Sequence, residues 1–140
     1  MDMSEMAGHL IRQLQQQSTQ VFQAQTQAAG LDLTSVQFAA LDTIARQSGI
    51  DQATLAATIS FDRATIGGVI DRLEQKGLVQ RVVSEQDRRA RQLHLTPEGA
   101  QLLAASRPVV EALQAEILAP LSAAERATFL ALAHKALGQD

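Results

Sequence analysis

Residues 51–99, DQATLAATISFDRATIGGVIDRLEQKGLVQRVVSEQDRRARQLHLTPEG, place a short helix, a turn, a second helix and a charged hairpin in succession with almost no spare linker. The second helix is expected from about Asp62 to Lys76, because Ile66, Val69, Ile70 and Leu73 recur at the three-and-four spacing that paints one apolar stripe along a helix. Gly77 closes it in the left-handed conformation open to glycine, and Lys76 in the last turn suits the negative end of the helix dipole. Opposite the stripe lie Arg63, Thr65, Gly67, Gly68 and Arg72. Arginine and short polar side chains near a helix start read base edges in a major groove, and residues without bulk let the helix backbone approach the duplex. Taken alone, the segment reads as simply as an amphipathic helix with a solvated polar face. The residues after it decide otherwise.

After Gly77 comes the β-branched run Leu78 to Val83, then the polar, turn-like stretch Ser84 to Arg91, then Gln92-Leu93-His94-Leu95-Thr96 with the period-two alternation of a half-buried strand. Together they predict a β-hairpin, with His94 facing outward. Residues 76–91 hold five Lys or Arg (Lys76, Arg81, Arg88, Arg89, Arg91) against two acids (Glu85, Asp87), a balance of +3 within a chain of net charge −3, so the remainder carries −6. An acidic protein repels a phosphate backbone except where its basic residues gather, so this hairpin marks the surface able to approach nucleic acid. A solvated charged loop is the ordinary meaning of such a run, but three arginines within four residues beside a candidate reading helix favour DNA. The expectation is a winged helix-turn-helix.

The chain resembles the MarR family of bacterial transcription regulators. The similarity is carried by residues 33–41 (LTSVQFAAL), 65–79 (TIGGVIDRLEQKGLV) and 87–99, where Asp87-Arg88-Arg89-Ala90-Arg91 leads to Leu95-Thr96-Pro97-Glu98-Gly99. The resemblance implies a homodimer in which the first helix and the last two form the interface, the recognition helix enters the major groove, and the wing reaches the adjacent minor groove. Carried over by motif, Arg89 would be the tip residue in the minor groove, Asp87 would brace the wing through its neighbouring arginines, and Arg88 and Arg91 would meet phosphates. It also implies control by small anionic, often aromatic, ligands bound between the dimer helices and the DNA-binding lobe.

The flanking segments fit such a plan. Residues 3–28 carry Met3, Met6, Leu10, Ile11, Leu14, Val21 and Phe22 mostly along one helical stripe, within a segment holding eight glutamines between Gln13 and Gln27. Glutamine is a fair helix former, so one helix is expected there, too apolar along its stripe to stand free. Thr34 and Gln37 have the spacing of a capping box, Asp51 and Ser122 are further caps, and Thr96-Pro97-Glu98 starts a long helix. Pro108 should bend that helix near Ala104, and Pro120 stops it. The fold class is therefore mainly α with a small β-hairpin wing: an N-terminal dimerisation helix in 1–30, a winged helix-turn-helix DNA-binding domain in 31–100, and C-terminal dimerisation helices in 101–140. The partners expected are double-stranded DNA carrying an inverted repeat, a second copy of the chain and a small-molecule effector.

For the effector the residue-level candidates are His9 and Arg12, one turn apart on the first helix, and Arg46 near the end of the second. The simpler reading of His9 is a partly exposed polar residue, and that of Arg12 and Arg46 surface ion pairing. His134 is expected at the C-terminal interface. Zero cysteines exclude a thiolate metal site, a disulfide framework and a cysteine nucleophile. Three scattered histidines and the absence of HExxH, GxSxG or a phosphate-cradling glycine loop point away from an enzyme, a metal site or a cofactor. No apolar run approaches a membrane span and no signal-peptide pattern opens the chain, so a cytoplasmic protein is expected. The alternative from another class is a winged-helix module that binds protein through its wing. The expected function is repression at a palindromic operator, relieved when the small-molecule effector binds.

Overall fold

The computed structural model describes residues 1–86 and 91–139. Its helices are α1 (Ala7–Ala28), α2 (Ser35–Arg46), α3 (Gln52–Thr58), α4 (Arg63–Gln75), α5 (Pro97–Ile117) and α6 (Ala123–Ala136), with strands β1 (Val79–Val83) and β2 (Arg91–Leu95) between α4 and α5. Leu41 and Ile44 of α2, Leu55 of α3, Ile66, Ile70 and Leu73 of α4 and Leu93 of β2 are fully buried and hold the centre together. Each such side chain contributes about 1.5–3 kcal/mol by leaving water. Among the described residues no helix is long and apolar enough to cross a membrane.

The helix starts obey local chemistry. Thr34 and Gln37 exchange side-chain and backbone hydrogen bonds, as do Ser122 and Glu125, and Asp51, Asp62 and Thr96 each accept a backbone N–H from the adjoining first turn. One start differs from expectation. Asp2 and Glu5 close a separate 3-10 turn over Met3–Glu5, and extended Met6 divides it from α1, so no single helix runs from residue 3. The turn between α3 and α4 is tight because Ser60 takes a left-handed conformation (φ 60) and the Phe61 N–H reaches back to the Ala56 carbonyl at 2.9 Å. Pro108 lies inside α5 without ending it.

The hairpin is antiparallel, with register from Val79↔Leu95 to Val83↔Arg91. It gains a third, very short edge from the α2–α3 connection: the Gly49 N–H donates to the Leu93 carbonyl and the Leu93 N–H to the Ile50 carbonyl, both at 2.9 Å. This edge corrects the outward placement expected for His94. The half-buried ring sits against the connection, its Nδ1 2.9 Å from Ser48 Oγ.

α5 packs along both α1 and α2. Asp42 of α2 accepts from Arg107 of α5 at 2.8 Å and from Arg46 of its own helix at 2.9 Å, tying the central lobe to the long helix. α6 buries none of its residues within the protomer. Between α1, α5 and α6 an apolar cleft of about 950 Å³ stays open, lined by Leu14, Ile117, Leu118, Phe129 and Leu130 among others. His134 is exposed and approaches Gln139 Oε1 at 2.9 Å.

Burial, the largest single influence on the Asp42 carboxyl, pushes its pKa up, but hydrogen bonds and charge from Arg46 and Arg107 outweigh it and hold the group below the usual carboxylate value. The backbone N–H of Thr54 lowers Asp51, that of Thr65 lowers Asp62, and that of Ser122 lowers Glu125. A carboxylate lowered in the folded state stabilises fully above its unfolded pKa, and that stability is lost as pH falls through the folded value. The melting temperature is therefore expected to show no carboxylate-linked loss down to about pH 5 and to fall below about pH 4. Scanning calorimetry across this range checks it, and a melting temperature that does not drop in acid would contradict it.

Candidate nucleic-acid interface

Helix α4 buries Ile66, Ile70 and Leu73 and leaves Arg63, Thr65, Gly68 and Arg72 exposed. Asp62 sets its start: one carboxylate oxygen accepts the Thr65 N–H at 2.8 Å and the other accepts the Thr65 hydroxyl at 2.7 Å. The hydroxyl proton of Thr65 is thus engaged in the cap, which leaves its oxygen lone pairs as the group able to meet a base donor. Gly68 faces open space, with nothing within 4 Å of where a Cβ would stand. Gly67 does not share that outlook. A Cβ there would lie 3.2 Å from Gln52 Nε2 on α3, so its lack of a side chain serves helix packing.

Gly68 yields a test. Alanine at an exposed helix interior is worth about 1 kcal/mol over glycine, so Gly68→Ala is expected to raise stability while weakening DNA binding if the helix backbone lies close to the duplex. Thermal melts and a DNA titration of the one variant read both effects; a more stable variant with unchanged affinity would remove Gly68 from the interface.

Of the cations counted toward the hairpin, two are paired with acids of the same chain, one on the surface and one half-buried. Lys76 Nζ lies 3.2 Å from Asp32. Arg81 is paired to Asp71 at 2.7 Å and Glu74 at 3.5 Å, both on α4, and donates to Gln52 Oε1 of α3 at 3.2 Å. Arg91 is exposed at the start of β2. Asp87, Arg88 and Arg89 lie outside the described residues, in the connection between β1 and β2. Of the ligand candidates, Arg46 is paired with Asp42, while His9, half-buried, and Arg12, exposed, stand one turn apart in the first half of α1. Sequence reasoning missed the Asp42–Arg107 link and the Arg81 cluster. The placing of Asp71 and Glu74 three residues apart on α4 was the available signal for the second.

The MarR family model matches residues 33–90. The HTH-type transcriptional repressor NicR of Pseudomonas putida is 36% identical over 99% of this chain and 87% of its own length. Among solved structures, BpsR of Bordetella bronchiseptica, described for the regulation of its DNA binding by 6-hydroxynicotinic acid, superposes with a TM-score of 0.90 at 29% identity, covering 100% of this chain and 99% of that one. A mutant MarR of E. coli complexed with operator DNA superposes with a TM-score of 0.83 at 29% identity, covering 93% and 92%. With an exposed helix face beside a β-hairpin, and a repressor related along nearly its whole length, this chain belongs to the MarR family of DNA-binding transcriptional regulators.

Proposed function

We propose that the protein is a cytoplasmic homodimeric repressor, without catalytic activity, that holds a palindromic operator and releases it when a small anionic aromatic ligand binds. The carrying observation is the exposed face of α4, where Arg63, Gly68 and Arg72 stand clear of the core next to the hairpin. Two such helices related by a two-fold axis read half-sites one turn apart, about 34 Å. The open apolar cleft and the unburied α6 support dimerisation through α1, α5 and α6. BpsR, with its regulation by 6-hydroxynicotinic acid, supports an aromatic carboxylate as the effector class. His9 and Arg12 are the candidate anchors for its carboxylate, and Arg46 would have to leave Asp42 to join them.

In the wing, Arg88 and Arg91 are assigned to phosphates, Arg89 to the minor groove and Asp87 to bracing the wing through its neighbouring arginines. Arg89→Ala is expected to weaken operator binding by about 1–3 kcal/mol with little change in melting temperature. The dimeric reading is tested by comparing an intact inverted repeat with an isolated half-site. Full affinity for the half-site, or a monomer at micromolar concentration, would contradict it. A complex unmoved by a series of hydroxylated aromatic carboxylates would contradict release by that class.

A further inference from the structure

We propose that Arg81 is a positioning residue that fixes the angle between the recognition helix and the wing, and that Asp71 and Glu74 serve this strut although they lie on the DNA-reading helix. The inference rests on the DNA-binding reading of α4 and the hairpin. Arg81 stands on β1, and its guanidinium spans to two other elements: Asp71 Oδ1 at 2.7 Å and Glu74 Oε1 at 3.5 Å on α4, and Gln52 Oε1 at 3.2 Å on α3. Its side chain is only 19% exposed, against 59% for that of Asp71. A guanidinium that donates to Gln52 and Glu74 from its two Nη atoms while ion-paired to Asp71 resists rotation in a way that a single ammonium contact does not. The absence of a side chain at Gly67 leaves room for the Gln52 amide, whose Nε2 would otherwise meet a Cβ at 3.2 Å.

The geometry explains an otherwise costly choice. An aspartate on a helix that approaches DNA adds repulsion from the phosphates, and removing it should tighten binding if charge alone mattered. If Asp71 instead holds Arg81, and Arg81 holds the wing against α4, removing it lets the wing lose its register on the duplex. Charge repulsion and the strut predict opposite signs for one substitution.

The test uses the full-length protein on a duplex that the unaltered protein prefers over a scrambled one, titrated at several salt concentrations. Asp71→Asn is expected to weaken binding about ten-fold and to flatten the salt dependence, since a disengaged wing neutralises fewer phosphates. Arg81→Lys keeps the charge but not the fork and is expected to show the same loss and the same flattening. It carries the test should Asp71→Asn fail to fold. Unchanged or tighter binding by Asp71→Asn, weaker binding with the wild-type salt slope, or an Arg81→Lys protein indistinguishable from wild type would each overturn the strut. An unaltered protein that does not discriminate between the duplexes would instead overturn the DNA-binding reading, and the strut with it.

Discussion

Replacing Gly99 by alanine is expected to cost at least about 3 kcal/mol, at the upper end of what overpacking a closed site does. Gly99 lies in the first turn of α5, where its N–H donates to the Thr96 hydroxyl at 3.1 Å. A Cβ there would overlap the Leu78 carbonyl oxygen and stand 3.0 Å from its carbonyl carbon. Neither side can yield cheaply. Leu78 is held by its N–H to the Leu73 carbonyl at 2.9 Å and by its own carbonyl, which accepts the Thr96 N–H at 3.1 Å. Thr96 Oγ1 in turn donates to the Gly77 carbonyl at 2.6 Å. The obstacle is backbone, so no side-chain rotation relieves it, and the start of α5 must move off the α4–β1 connection. Thermal melts should show a fall of about 10 °C or more. Gly68→Ala is the matched control, the same substitution with the opposite expected sign. A Gly99→Ala protein as stable as wild type would mean that α5 does not dock on Leu78 this closely.

Leu73→Ala is expected to cost about 2–5 kcal/mol, the range for deleting a fully buried leucine. Leu73 has no exposed surface and shares the core with Ile66 and Ile70 on the buried face of α4. Truncating it opens a cavity beneath α4 without altering any residue on the exposed face. The expected pattern is a melting temperature lowered by about 10 °C with operator affinity largely kept at low temperature, where the folded fraction is still high. A large loss of affinity in a protein that melts normally would place Leu73 in the reading surface and contradict the orientation of α4.

Much of this arrangement was legible in the sequence because it is local. Caps at Thr34, Asp51, Thr96 and Ser122 are signals spanning three or four residues, and each starts a helix where expected, while Asp62, read as the first residue of its helix, is the cap of α4. The buried stripe of Ile66, Ile70 and Leu73 came from spacing, and with it the exposed face of α4. What escaped was non-local. The pairing of Ile50 with Leu93 involves too few residues to show a period, yet it covers His94. Gly67 lies opposite the apolar stripe on a helical wheel, which has no place for Gln52 of α3. Arg81 read as one more positive charge on the wing because charge counting cannot see Asp71 and Glu74 across the α4–β1 turn. The break at Met6 is the exception: the Asp2–Glu5 capping box beside it is local, but an apolar stripe that continues through Met6 hid it.

Sequence-specific DNA binding is tested most directly by enrichment of bound duplexes from a random-sequence pool, then salt-titrated fluorescence anisotropy on the winner. The expected result is an inverted repeat with half-sites about one helical turn apart, bound far more tightly than a scrambled duplex, with log K falling by about 0.9 per neutralised phosphate for each unit rise in log salt. A pool that yields no preferred sequence, or a winner bound no better than its scrambled counterpart at every salt concentration, would contradict it.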